Sequence, residues 1–534
     1  MIQIRRLFEI NNLVFLIGAY ALVNLFFFER DFLLFRDYSI LWEGAYRISL
    51  GQIPFTDFGT PVGPISFLIP ALFFKLFTPS WYVMQLSQMF ENAILLLLSY
   101  QLLKRLQLTK ANINIAIACF AFFYLVFLSH PWYNSGAFLF FLASMVYLLG
   151  LGYWSYIAAG LLAGLCFLAK QDYGIMNLCL GLLVLFLTQP DSRTPYRRLS
   201  FNLKALLDQK YWGITVSSIA VFAIAFTLPL VAVISLVDSE QFLYWFNYGQ
   251  QPHQIRKIYI WNFVGRANLL IPACIAFYFA YRTQRMDLLF AGMFFICSFV
   301  VSSTSGLDYT AFFFFLFLPV LIKATHDRAI VSKPWVSILL IFATLTCLIL
   351  PAKYFYRMVQ TTVLNKAEPY SFRYKYVTRP VRAFPDSMPY FKNVMGSLDS
   401  ITLIEQLQAI FKNRDGPPLT MLNISELTPL YAELGITPPL QYPLWYHTKI
   451  SLFSREIKII DRDIDNAKFD VVILQNTHGQ VNFEHFLQRL QQNPQYESLR
   501  EKGFVSPTTS TGDDCFEGYC PNHIYVYVRK SLLN

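Results

Sequence analysis

Three carboxylates share one aromatic-rich stretch, FRDYSILWEGAYRISLGQIPFTDFGTPVGP, spanning residues 35–64. Asp37, Glu43 and Asp57 stand there with Arg47, Trp42, Tyr38, Tyr46, three prolines and four glycines. Carboxylates held in an ordered loop are what general-base chemistry requires, because the base must reach the proton it removes. A solvated loop also carries charges by default. The density of aromatic, Gly and Pro residues favours a shaped site over a merely hydrophilic loop.

A cation comes next. Lys170 closes the apolar run GLLAGLCFLAK and is followed at once by Gln171 and Asp172. It can pair locally with Asp172, snorkel to the interface, or bind an anionic head group at lipid level. Gly160 and Gly164 have the small-xxx-small spacing that brings helices close, which would hold Lys170 inside a bundle. Arg256 and Lys257 in DSEQFLYWFNYGQQPHQIRKIYIW are either a surface pair or a second phosphate contact. His130, with no second His or Cys at ligand spacing, reads as an interfacial residue rather than a metal ligand. Glu91, alone within an apolar stretch, reads as a partner for a neighbouring helix rather than a transport residue.

The elements that position these groups are membrane spans. The 534 residues are 55% hydrophobic, 17% aromatic and only 14% charged, with mean hydropathy +0.42. This balance excludes a soluble globular chain and an intrinsically disordered one. The formal charge of +10 falls largely in loops between apolar runs, as insertion requires, so nucleic acid is not an expected partner. Eleven spans are expected, near 12–28, 83–103, 112–129, 136–150, 155–169, 174–188, 213–236, 264–281, 287–302, 310–322 and 335–352. Pro64 to Phe77 is too short and too interrupted to cross, and suits a re-entrant or interfacial helix. With that assignment fifteen basic residues lie in inside loops and seven in outside loops. The N-terminus is then cytoplasmic, on an uncleaved first span, and everything after residue 352 lies outside.

Charge density rises after residue 352, from 38 charged residues in the first 352 to 38 in the last 182. The expectation is a transmembrane domain, 1–352, including a first outer loop over 29–82, and a soluble α/β domain, 353–534. Strands are predicted in PPLTMLNIS, FDVVILQ and NHIYVYVRK, and helices in ISELTPLYAELG and FEHFLQRLQQ. Cys515 and Cys520 are the two cysteines in a polar segment, and an oxidising outer compartment would let them close a disulfide around CFEGYC. The basic, aromatic stretch from Lys353 to Lys392 either rests on anionic membrane lipids or is basic for no such reason. No Walker loop, dinucleotide fingerprint, nucleophile elbow or HExxH motif is present.

The stretch from Asp37 through EGAYRISLGQIPFTDFGTPVGP resembles the first outer loop of the GT-C polytopic glycosyltransferases, in particular the bacterial group of protein O-mannosyltransferases and lipid A aminoarabinose transferases. GLLAGLCFLAKQDYG is similar to their Gly-rich span ending in lysine, SGLDYTAFFFFLFLPVL to a motif with His-Tyr and Pro, and PLYAELGITPPLQY to the outer tails of some members. Asp308 stands where histidine is frequent, beside Tyr309, and Asn134 where some relatives carry an acidic residue.

The resemblance implies a mainly α polytopic fold and transfer of a sugar from a polyprenyl-phosphate donor to a glycan, lipid or protein acceptor, in a bacterial inner membrane. Asp37 would be the general base, with Asp57 and Glu43 in reserve. Lys170, Arg256 and Lys257 would face the phosphate, and Arg47, Asp172, Asp308 and Tyr309 would support the acceptor. No cofactor is required, and a divalent metal is compatible with the reaction. A lipid-linked sugar transporter would use similar spans, but with charged or broken helices at the midplane. A nonenzymatic envelope-assembly protein would need neither the acidic cluster nor Lys170.

Overall fold

The computed structural model describes residues 17–22, 31–32, 36–125, 132–190, 197–199, 209–246, 269–305, 313–324, 381–392, 394–411, 418–425, 427–446, 451–475, 482–499 and 524–533, with 338, 341, 345, 348, 352, 356 and 448 singly. The membrane half is a helical bundle. Its helices are α1 (Arg36–Ser49), α2 (Leu68–Leu76), α3 (Trp81–Arg105), α4 (Lys110–Phe123), α5 (Tyr133–Leu148), α6 (Tyr153–Ala169), α7 (Gln171–Leu187), α8 (Gln209–Leu236), α9 (Ser239–Phe246), α10 (Leu270–Thr283), α11 (Met286–Ser305) and α12 (Leu318–Ala324).

Apolar runs form helices here because, without water, only internal backbone hydrogen bonds satisfy every N–H and C=O. Ile224, Leu228 and Val231 on α8 and Ile115 on α4 are large and exposed, as lipid-facing side chains are. By length and composition one helix among the described residues, Trp212–Leu236, passes as a full span, with mean hydropathy 2.6. The other apolar helices are shorter. The 9-residue α2, preceded by a 3-10 turn at Pro64–Phe67, rises only about 14 Å at 1.5 Å per residue and cannot cross hydrocarbon.

The Gly160/Gly164 face of α6 meets α8. A Cβ at Gly160 would stand 2.4 Å from the Phe222 carbonyl oxygen, and one at Gly164 2.4 Å from that of Phe226. The small residues let the two backbones touch, and the Gly-xxx-Gly spacing is used as the sequence suggests.

The tail adds α13 (Leu398–Phe411), α14 (Leu430–Glu433), α15 (Ser454–Asp465) and α16 (Phe483–Gln492). The short strands, in chain order, are β1 (Asp31–Phe32), β2 (Phe58–Gly59), β3 (Thr188–Pro190), β4 (Arg197–Leu199), β5 (Val381–Ala383), β6 (Val394–Ser397), β7 (Met421–Ile424), β8 (Tyr442–Pro443), β9 (Val471–Gln475), β10 (Tyr496–Ser498) and β11 (Ile524–Arg529). The main tail sheet runs β10-β11-β9-β7, with β7 and β9 parallel and the remaining pairs antiparallel. All five β9 residues are buried, since both faces of this strand are covered, and Ile460, Ile464, Phe486 and Leu490 from α15 and α16 join its core.

Helix α15 is absent from the sequence-based expectation, although SREIKIIDRDID carries a clear amphipathic pattern. β1 pairs with β6 and β2 with β8, both parallel, so the loop over residues 29–82 contributes strands to the tail.

Candidate active site

The loop over residues 35–64 is fastened on two sides. Helix α1 packs Trp42 against Phe74 of α2, ring centroids 5.4 Å apart, and Trp42 is fully buried. On the other side of α1, Arg47 and Glu43 form an ion pair at 2.7 Å with essentially no exposure of either side chain. Arg47 Nη1 also donates to Gln52 Oε1 at 3.1 Å and to the Pro439 carbonyl at 2.8 Å, while Gln52 Nε2 donates to the Pro438 carbonyl at 2.9 Å. Thr428 Oγ1 donates to the Ser39 carbonyl at 3.2 Å. Burial pushes the Glu43 carboxyl above its ordinary range, against the pull of Arg47. A pair buried this deeply needs its remaining donors satisfied, and the tail's carbonyls supply the acceptors. Glu43 and Arg47 thus lie at the junction of loop and tail.

Asp57 lies in the next turn. Its carboxylate accepts the Ile53 N–H at 2.7 Å, its own N–H donates to the Ile53 carbonyl at 2.8 Å, and its carbonyl accepts the Gln441 N–H at 2.5 Å. Phe55 in this turn has φ +68°, a conformation that costs a bulky residue free energy. Packing offsets that cost: Phe55 is buried against Phe242, centroids 5.1 Å apart, and Phe246. The turn is therefore held in shape by α9.

Beyond it the loop meets Lys170. A Cβ at Gly63 would lie 1.8 Å from the Leu168 carbonyl oxygen, so only glycine permits this contact. Ser66 Oγ donates to the Ala169 carbonyl at 3.1 Å. Lys170 sits in extended conformation between α6 and α7, ending one helix and starting the next. Its ammonium pairs with Asp172 at 3.0 Å, both partly exposed, and stands 5.1 Å from the Tyr173 ring and 5.5 Å from the Tyr133 ring. Gln171 Nε2 donates to the Phe246 carbonyl, which ties this corner to α9 as well.

Helix α9 also reaches the tail. The Arg455 guanidinium lies 3.6 Å from the Tyr244 ring centroid, and Tyr244 Oη donates to Glu456 at 3.1 Å. Burial and the Glu456 charge push the Tyr244 hydroxyl up to about 12, with Arg455 opposing. Loop, Lys170, α9 and tail therefore form one connected rim.

Of the sequence-predicted residues, Glu43 and Arg47 are brought together, as are Lys170 and Asp172, and Asp57 shares the loop that touches the end of α6. Asp37 falls in the first turn of α1; its side chain lies outside the described residues. So do His130, Arg256, Lys257, Asp308, Tyr309, Cys515 and Cys520. Among the described residues no group of three His, Cys, Asp or Glu side chains is placed to hold a metal.

The sequence reading missed two features. One is the α9–α15 contact, which no local pattern announces. The other is a set of buried polar side chains, Gln88 and Asn92 on α3, Ser135 on α5 and Tyr173 on α7, which accompany the Glu91 and Asn134 already singled out. The spacing of Gln88, Glu91 and Asn92 by three and four residues on one helical face was the available signal.

No family model and no curated protein matches this chain. It is similar to two crystal structures of ArnT from Cupriavidus metallidurans. One, bound to undecaprenyl phosphate, has 12% sequence identity and a TM-score of 0.49, with 96% of this chain and 97% of that chain covered. The other, in the apo state, has the same identity and TM-score, with 97% and 98% covered.

Proposed function

We propose that this chain is a multi-pass membrane glycosyltransferase, which moves a sugar from a polyprenyl-phosphate donor in the bilayer to a hydroxyl or amine of a glycan, lipid or protein acceptor at the outer rim. The observation that supports it most is the junction of the acidic loop with the lysine corner, through Ser66 and Ala169 at 3.1 Å. A carboxylate-bearing loop and a lipid-level cation share one side of the bundle. The resemblance of the same loop to GT-C enzymes supports the same reading, as does the membrane composition.

In this reading Asp37 accepts the acceptor's proton while the acceptor oxygen or nitrogen attacks the anomeric carbon. The bond from that carbon to the phosphate oxygen breaks, and the electron pair leaves with the lipid phosphate. Lys170 stabilises that charge, joined by Arg256 or Lys257. Asp57 holds the turn that carries the loop, and the Glu43–Arg47 pair fixes α1 against the tail. The chain would sit in a bacterial inner membrane, N-terminus cytoplasmic and tail periplasmic, with Cys515 and Cys520 joined there.

The test is a panel of polyprenyl-phosphate sugars given to the purified protein in nanodiscs with candidate acceptors, scored by released lipid phosphate. At least one donor should turn over, and Asp37→Asn should reduce that turnover by about 10²–10⁴-fold with insertion intact. Full activity in Asp37→Asn would remove Asp37 from the base role. Lys170→Ala should chiefly weaken donor binding.

A further inference from the structure

The bundle contains buried polar groups that the reaction above leaves unused. Glu91 is 2% exposed and Asn134 1%, and the Tyr173 side chain is wholly buried. Glu91 Oε2, both amide atoms of Asn134 and the Tyr173 hydroxyl have no hydrogen-bond partner among the described residues. Buried polar atoms are nearly always paired, and a group of orphans calls for an explanation.

These residues are linked to one another and to the lysine. Ser135, adjacent to Asn134, donates to Gln88 Oε1 at 3.1 Å, and Gln88 lies one helical turn before Glu91 on α3. Gln88 Nε2 in turn donates to Asn92 Oδ1 at 2.7 Å, which orients the side chains around the carboxylate. On the other flank of Asn134, Tyr133 lies under the Lys170 ammonium, and the Tyr173 ring faces that same ammonium. The series therefore joins the first turns of α5 and α7, beside the cation, to the middle of α3.

The unmatched atoms include acceptors (Glu91 Oε2, Asn134 Oδ1), a donor (Asn134 Nδ2) and a hydroxyl that is both. A hydrocarbon chain would satisfy none of them. A phosphate, which offers acceptor oxygens only, is matched by Lys170 and leaves the unmatched acceptors unsatisfied. Hydroxyl groups, each donor and acceptor at once, fit the mixture. We infer that Glu91, Asn134 and Tyr173 form a carbohydrate-recognition subsite, in which the hydroxyls of a lipid-borne sugar are read while its phosphate is held at Lys170. Glu91 is then a specificity-determining residue and takes no part in the bond changes. The inference rests on the glycosyltransferase reading and extends it to the side of the donor that carries the sugar.

The experiment is equilibrium binding of two probes to full-length protein in nanodiscs: undecaprenyl phosphate, and undecaprenyl phosphate bearing a single hexose or pentose, in a panel of glucosyl, galactosyl, mannosyl and arabinosyl forms. At least one glycosylated lipid should bind more tightly than the bare phosphate. Glu91→Gln should weaken that lipid tenfold or more while leaving undecaprenyl phosphate within twofold, and the retained phosphate binding shows that the variant is folded. Asn134→Ala should behave the same way, whereas Lys170→Ala should weaken both probes. Equal loss of both probes in Glu91→Gln, unchanged binding of both, or no glycosylated lipid that binds better than the bare phosphate would overturn the subsite. Failure of wild-type protein to bind either probe would instead overturn the glycosyltransferase reading, and the subsite with it.

Discussion

Ser66 donates a hydrogen bond to the Ala169 carbonyl one residue before Lys170, across 103 positions of sequence. The contact makes the outer loop a neighbour of the lysine, and it depends on Gly63 lying against Leu168. Gly63→Val should force the loop off the end of α6, because the obstructing atoms are backbone and cannot swing away. Donor turnover should fall at least tenfold, while Ser66→Ala, which removes one hydrogen bond, should cost only about 0.5–1.5 kcal/mol of stability. Turnover and thermal unfolding of both variants check this ordering.

The Glu43–Arg47 pair predicts a pH-dependent stability. Burial raises the folded-state Glu43 carboxyl above its ordinary range, so its favourable contribution is full below the unfolded pKa and is lost as pH rises through the folded one. Arg47→Met removes the cation that lowers this group, so the folded value should rise further, and near neutral pH folding must either protonate Glu43 or bury its carboxylate unpaired. That variant should be destabilised by about 3–5 kcal/mol near pH 7–8. The difference in melting temperature from wild type should shrink as pH is lowered toward 5. A gap that stays constant with pH would show that Glu43 is not the group responsible.

Arg455 covers the Tyr244 ring at 3.6 Å and joins the tail to α9. Arg455→Ala should weaken that junction by about 0.5–2 kcal/mol, seen as faster limited proteolysis between tail and bundle. Tyr244→Phe keeps the ring and loses only the bond to Glu456, so it should be milder. Proteolysis rates in the reverse order would contradict a ring-centred contact.

On the membrane side, Gly164→Leu should separate α6 from α8, since the Phe226 carbonyl occupies the space a side chain would need. Folded, monodisperse protein should be lost in that variant. Ile224→Leu, on the exposed face of α8, should leave the yield unchanged. Size-exclusion profiles in detergent compare the two.

Much of this architecture was legible from the chain alone. Runs of apolar residues set the helices, because a lipid solvent demands internal hydrogen bonding, and the Gly160/Gly164 spacing marked the face that α8 would meet. Alternation marked NHIYVYVRK as a strand, and a short apolar run marked FDVVILQ as another. The separation of Lys170 and Asp172 by a single residue allowed a local pair among other roles, and the structure shows the pair; the concentration of carboxylates in residues 35–64 is a property of sequence.

Tertiary structure decided what those groups touch. Glu43 and Arg47, one helical turn apart, could have been a solvated pair; the carbonyls of Pro438 and Pro439, nearly 400 residues onward, make them a buried junction instead. Nothing local to Gln88 says that Ser135 will stand beside it or that Asn134 will be left unmatched. Sequence fixes periodicity and local spacing because those depend on neighbouring residues, whereas desolvation and long-range contact depend on which distant surfaces the folded chain brings together.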